Sequence, residues 1–78
     1  DVDEELLVRL KEWRRSRAKQ LKVPAYVVFT DTTLTAIAEQ RPLDEAGLVQ
    51  ISGIGPAKID KFGAEVLALV RGESPYAD

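Results

Sequence analysis

An apolar stripe with a period close to 3.6 residues opens the chain: Leu6, Leu7, Leu10, Trp13, Ala18 and Leu21 fall on one side of a helix. Asp3 is placed to cap that helix, and Glu4 and Glu5 suit its positive dipole end, so the pattern predicts a helix from about Glu4 to Leu21. Val23-Pro24 stops it, because the residue before a proline is driven out of the α region. The pieces that follow are shorter. Ala25-Tyr26-Val27-Val28-Phe29 has the strongest β propensity of the chain, but no second strand-like run exists to pair with it. It therefore reads as an extended or single-turn connector packed on the core.

Thr30 or Asp31 caps a second helix through about Gln40, with Leu34, Ile37 and Ala38 inward, and Arg41-Pro42 ends it. Asp44 caps a short third helix, Glu45 to Val49, presenting Ala46, Leu48 and Val49. The turn Ile51-Ser52-Gly53-Ile54-Gly55-Pro56 places a proline at a natural first helical position. A fourth helix is expected from about Pro56 to Phe62 with Ile59 and Phe62 buried. Gly63 reads as a bend into a fifth, Ala64 to Val70, with Val66, Leu67 and Val70 inward and Gly72 as its stop. The expected fold is all-α: a compact bundle of five short helices with a helix-hairpin-helix-like G-I-G turn. Residues 1–72 form the single domain and residues 73–78 a tail or linker.

A chain of 78 residues has room for one small domain, and it lacks both cysteine and histidine. Disulfides, a thiol nucleophile and a zinc site ligated by His or Cys are excluded, so packing alone holds the fold. Histidine is also missing for acid–base work, and no serine sits in a nucleophile-elbow context. Asp31, Asp44 and Asp60 read as caps or surface charges, so no catalytic residue is assigned. No apolar run is long enough to span a membrane. The chain begins with Asp and contains no Met, which points to a segment of a larger protein.

Charge is distributed unevenly. The net charge is −2, yet Arg9 to Lys22 holds seven basic residues against Glu12 alone. At 100° per residue, Lys11, Arg15, Lys19 and Lys22 share one exposed strip, while Arg14 and Arg17 land in or beside the apolar stripe. Those two arginines either snorkel or meet a carboxylate. The strip is either a solvated face or a row of cations able to track a phosphate backbone. Tyr26, just past the basic end, is either a stacking platform for a base or part of the core. Gly53 and Gly55 either present backbone amides to a phosphate, with Lys58 and Lys61 adding counter-charge, or only let two helices turn sharply around Ile54.

Taken together, the chain resembles a known family. L-L-x-x-L-x-x-W-R at Leu6 to Arg14 leads into V-P-A-Y-V-V-F-T-D-x-T-L at Val23 to Leu34. Then come L-x-x-I-x-G-I-G-x-x-K-I-x-x-F-G at Leu48 to Gly63 and V-L-x-L-V at Val66 to Val70. Over roughly residues 4 to 71 this is similar to an HRDC domain, the helicase-and-RNase-D C-terminal module. The resemblance implies a non-catalytic accessory domain of a RecQ-type or UvrD-like DNA helicase, binding single-stranded or branched DNA weakly, or the same module in an RNase D-like exonuclease. By position it implies contacts at Tyr26, Lys22 and the basic residues of the first helix, with Lys58 matching the family's lysine. ATP and magnesium would belong to the parent motor, with no metal or cofactor in this domain. A rival role is protein interaction or intramolecular docking through the acidic stretch Asp31 to Glu45. The expected setting is a monomeric module of a bacterial, cytoplasmic, nucleoid-associated helicase.

Overall fold

The computed structural model describes residues 1–76, which hold five helices: α1 (Glu4–Leu21), α2 (Ala25–Val28), α3 (Asp31–Gln40), α4 (Glu45–Val49) and α5 (Pro56–Val70). α1 is the spine. Asp3 caps it by accepting from the Leu6 amide at 3.0 Å. Lys22 ends it in the left-handed conformation, φ 58°, and the Val23 amide returns to Ala18 O at 3.0 Å. That closure satisfies a terminal carbonyl and turns the chain back along α1. Thr30 and Asp44 cap α3 and α4 through the amides of Thr33 and Gly47, at 3.2 and 2.8 Å.

α3 and α5 both lie antiparallel to α1. Along α3, the Asp3 amide donates to Ala38 O at 3.2 Å and Arg14 meets Asp31 at 2.7 Å. Along α5, Arg9 donates to Leu69 O at 3.0 Å and Trp13 Nε1 donates to Glu65 at 2.8 Å. Between the three helices lies the core: Leu6, Leu10 and Trp13 of α1, Leu34 and Ile37 of α3, and Phe62 and Val66 of α5, closed by Val28, Phe29 and Leu48. Trp13, Phe29 and Phe62 form an aromatic cluster, with Phe62 edge-on to both partners at 5.7 and 5.6 Å between centroids. Edge-to-face packing matches the ring quadrupoles and adds to the area buried.

The helix count agrees with the sequence reading, but the pieces are divided differently. The connector at Ala25–Val28 is a single helical turn, α2. It delivers Val28 and Phe29 to the core and leaves Tyr26 and Val27 outside, so burial overrides β propensity here. The expected break at Gly63 does not occur, because α5 runs unbroken from Pro56 to Val70. Gly63 is buried, and a Cβ there would stand 3.2 Å from Ile59 Cγ2 and 3.9 Å from Leu48 Cδ1. The glycine sits inside a continuous helix, where a side chain would crowd Ile59 one turn back, and it marks no bend. On α4 only Leu48 enters the core, and Ala46 and Val49 stay exposed. On α5, Leu69 is fully inside, while Ile59, Leu67 and Val70 are half-buried.

Candidate nucleic-acid interface

Five segments meet at one end of the bundle: the end of α1, α2, the first turn of α3, the turn after α4, and the start of α5. Thr33, a buried polar residue, ties two of them by donating to Ser52 O at 3.1 Å, while its oxygen accepts from Thr30 at 3.1 Å. Gly53 lies against it with φ 95°, and a Cβ there would come 2.5 Å from Thr33 Oγ1. The turn therefore needs glycine at 53 on two counts, conformation and space. Gly55 differs. Its φ is −105°, and nothing lies within 4 Å of a Cβ built on it. Ile54 between them is buried and plugs the core. α5 starts at Pro56 with no side-chain cap, so its first amides are left facing outward.

The basic residues of α1 divide by helical position. Arg9, Arg14 and Arg17 turn toward the bundle. Arg14 donates to Phe29 O at 2.9 Å and pairs with Asp31, and Arg17 pairs with Glu65 at 3.3 Å with its guanidinium 5.1 Å from the Phe62 ring centre. The hydrogen bond from Arg14, then its charge, holds the Asp31 carboxyl below its ordinary pKa. Lys11, Arg15, Lys19 and Lys22 are exposed, with no hydrogen-bond or ion-pair partner among the described residues. Lys11, Arg15 and Lys19 border a hollow of about 410 Å³ that continues to Ala25 at the start of α2. One residue on, Tyr26 is 68% exposed, so it is not a core aromatic. It borders a second hollow, of about 330 Å³, whose far side is Gly53, Ser52 and Lys58.

Lys58 is placed differently from the other lysines. Its ammonium donates to Val27 O, at the end of α2, and lies 5.6 and 5.8 Å from the ring centres of Phe29 and Phe62. It clamps the start of α5 to α2, and its charge is already engaged. Lys61, one turn later, is exposed and free of such contacts among the described residues. The structural parts of Arg14, Thr33 and Lys58 were not separable from sequence; the only signal was that Arg14 falls on the apolar side of α1. Among the described residues there is no cluster of acidic side chains that could hold a metal ion, and no helix long and apolar enough to cross a membrane.

Comparison with known proteins bears on this arrangement. ATP-dependent DNA helicase UvrD2 of Mycobacterium tuberculosis is 61% identical over 74 residues, covering 95% of this chain and 11% of the helicase. ATP-dependent DNA helicase RecQ of Haemophilus influenzae is 35% identical over 71 residues, covering 91% of this chain and 12% of the helicase. The chain thus spans about an eighth or less of these relatives. The structure of D. radiodurans RecQ HRDC domain 3 superposes with a TM-score of 0.86 at 33% identity, covering 90% of this chain and 92% of that one. The family model described as HRDC domain matches residues 3–70. With the fold, the turn and that match in agreement, the chain belongs to the HRDC domain family.

Proposed function

We propose that this chain is a non-catalytic auxiliary domain of an ATP-dependent DNA helicase that holds single-stranded or branched DNA weakly. The observation that carries the reading is the row of exposed cations Lys11, Arg15 and Lys19 on α1, unpaired among the described residues, running past Lys22 to the exposed Tyr26. Cations at that spacing neutralise successive phosphates, and the tyrosine offers a face on which a base stacks. Lys61 and the uncapped first amides of α5, just past the Gly53–Gly55 turn, extend the same surface. Lys58 contributes by holding α2 and α5 together. The relatives support a helicase context. On this reading the motor, ATP and magnesium belong to other parts of the parent, and the setting is a bacterial cytoplasm. Weak binding of this kind acts by tethering, raising the local concentration of strand near a linked motor.

The test is a titration of a fluorescent single-stranded oligonucleotide at rising salt. We expect saturable binding whose log affinity falls with log salt by about 0.7 per phosphate contact, and so by roughly 2 to 3 if three or four cations take part. Arg15→Glu with Lys19→Glu removes it. Absence of binding at low salt, or an unchanged affinity in the double variant, overturns the reading. A docking role is the second reading, favoured by Leu43, which is 74% exposed and followed by Asp44 and Glu45. It predicts that the isolated chain binds a basic surface of its own motor and that the double variant leaves this contact intact.

A further inference from the structure

A third hollow, of about 400 Å³, lies where the end of α1, α2 and the first turns of α5 meet. Its walls are aliphatic: Leu21, Val23, Val27 and Ala57, with the edge of Phe62 at the base. Leu21 and Val27 are each 42% exposed, although the apolar period of α1 expects Leu21 inside. Single exposed apolar residues are ordinary, but these two share one concavity. Among the described residues, the charged groups lining it are both lysines, Lys58 and Lys61, and no carboxylate lines it. Glu65, one turn beyond Lys61, is already held by Trp13 Nε1 and Arg17. Lys22 follows Leu21 directly, and the uncapped, positive end of α5 stands at the Ala57 edge.

The lining argues against a nucleobase. Phe62 is only 2% exposed and offers no stacking face, and the aliphatic walls carry no groups to pair with a base edge. Tyr26, the exposed aromatic of this end, borders the neighbouring hollow, and Lys58 lines both and stands between them. A bulky apolar side chain fits such walls, and carboxylates beside it suit the lysines.

We propose that this groove docks an acidic peptide segment of a partner protein, one apolar side chain seated between Leu21 and Val27 and flanking carboxylates held by Lys61 and Lys22. This surface shares Lys22 and Lys61 with the edge of the strand-holding surface but none of Lys11, Arg15 and Lys19, and it does not rest on the strand-holding reading.

The probe is a short fluorescent peptide with a single phenylalanine among aspartates, titrated into the 78-residue chain. We expect saturable binding, weakened at least about tenfold when the phenylalanine is alanine, and likewise by Lys61→Glu or Leu21→Gln. Amide shift changes should gather at Leu21, Val27, Ala57 and Lys61 in the unmodified chain, which keeps the test valid if a variant misfolds. Arg15→Glu with Lys19→Glu should bind the peptide like the parent, so loss of strand binding and loss of peptide binding are read separately. Equal binding of the alanine peptide, no binding, or shifts at the groove caused by an oligonucleotide and not by the peptide would overturn the proposal.

Discussion

Arg14 and Arg15 are neighbours in sequence and about 100° apart on α1. Arg14 reaches across to Phe29 O and Asp31, whereas Arg15 ends in solvent beside Lys11 and Lys19. The same division runs the length of the helix. Arg9, Arg14 and Arg17 each hold another element, at Leu69, Phe29 and Glu65, while the cations on the other face hold nothing among the described residues. A basic run therefore contains two populations with different work. Guanidinium groups on the inner face satisfy carbonyls and carboxylates that would otherwise be stranded near the core. The outer face keeps its charge available.

The sharpest way to test the inner face is to remove its centre. Trp13→Ala should destabilise by about 3–5 kcal/mol, since it empties a fully buried aromatic site and removes the indole hydrogen bond to Glu65. Small domains hold only about 5–15 kcal/mol in total, so urea unfolding followed by circular dichroism should show a midpoint far below that of the parent. A melt within error of the parent would remove the aromatic cluster from the account. Next come the two glycines of the turn. Gly53→Ala should lose about 1–3 kcal/mol, through its positive φ and the clash with Thr33. Gly55→Ala should lose less than about 1 kcal/mol, because neither constraint applies to it.

The neighbouring arginines give a reciprocal pair. Arg14→Gln should cost about 1–2 kcal/mol in stability, the scale of a charge-assisted hydrogen bond, and Arg15→Gln about 0–0.5. On strand affinity the order should reverse, with Arg15→Gln the more damaging. Equal effects on both measurements would erase the distinction between the faces. The smallest effect concerns Asp31, whose carboxyl is depressed by Arg14. Its contribution is present above the unfolded carboxyl pKa of about 3.9 and lost as pH falls through the lower folded value. The stability gap between the parent and Asp31→Asn should therefore close as pH drops below about 4, read from denaturant midpoints across that range.

Much of the architecture was legible because it is local. Asp3, Thr30 and Asp44 cap the helices the patterns placed after them, and the inward set Leu34, Ile37 and Ala38 follows from helical period. What failed depended on contacts distant in sequence. Gly63 reads as a hinge until Leu48 is known to lie beside it, and the stripe on α1 includes Leu21 until the bundle is seen to end before it. Lys58 fits a phosphate motif in sequence, yet Val27 O and two aromatic rings claim it. Gly53 and Gly55 look equivalent in the G-I-G turn, and only backbone dihedrals separate them.

The contacts between α1 and α5 carry one more consequence. Arg9 and Leu69 are 60 residues apart in sequence, and Trp13 and Glu65 are 52 apart. Those bonds close nearly the whole chain into one loop, so the entropy of closure is paid before α5 gains anything from the core. α1 with α3 is the pairing with the shorter loop and is expected to form earlier in refolding. In the native state, α5 cannot detach without uncovering Trp13 and Phe29. Amide hydrogen exchange should accordingly give α1 and α5 a common opening free energy equal to that of global unfolding, with the short α2 and α4 exchanging sooner.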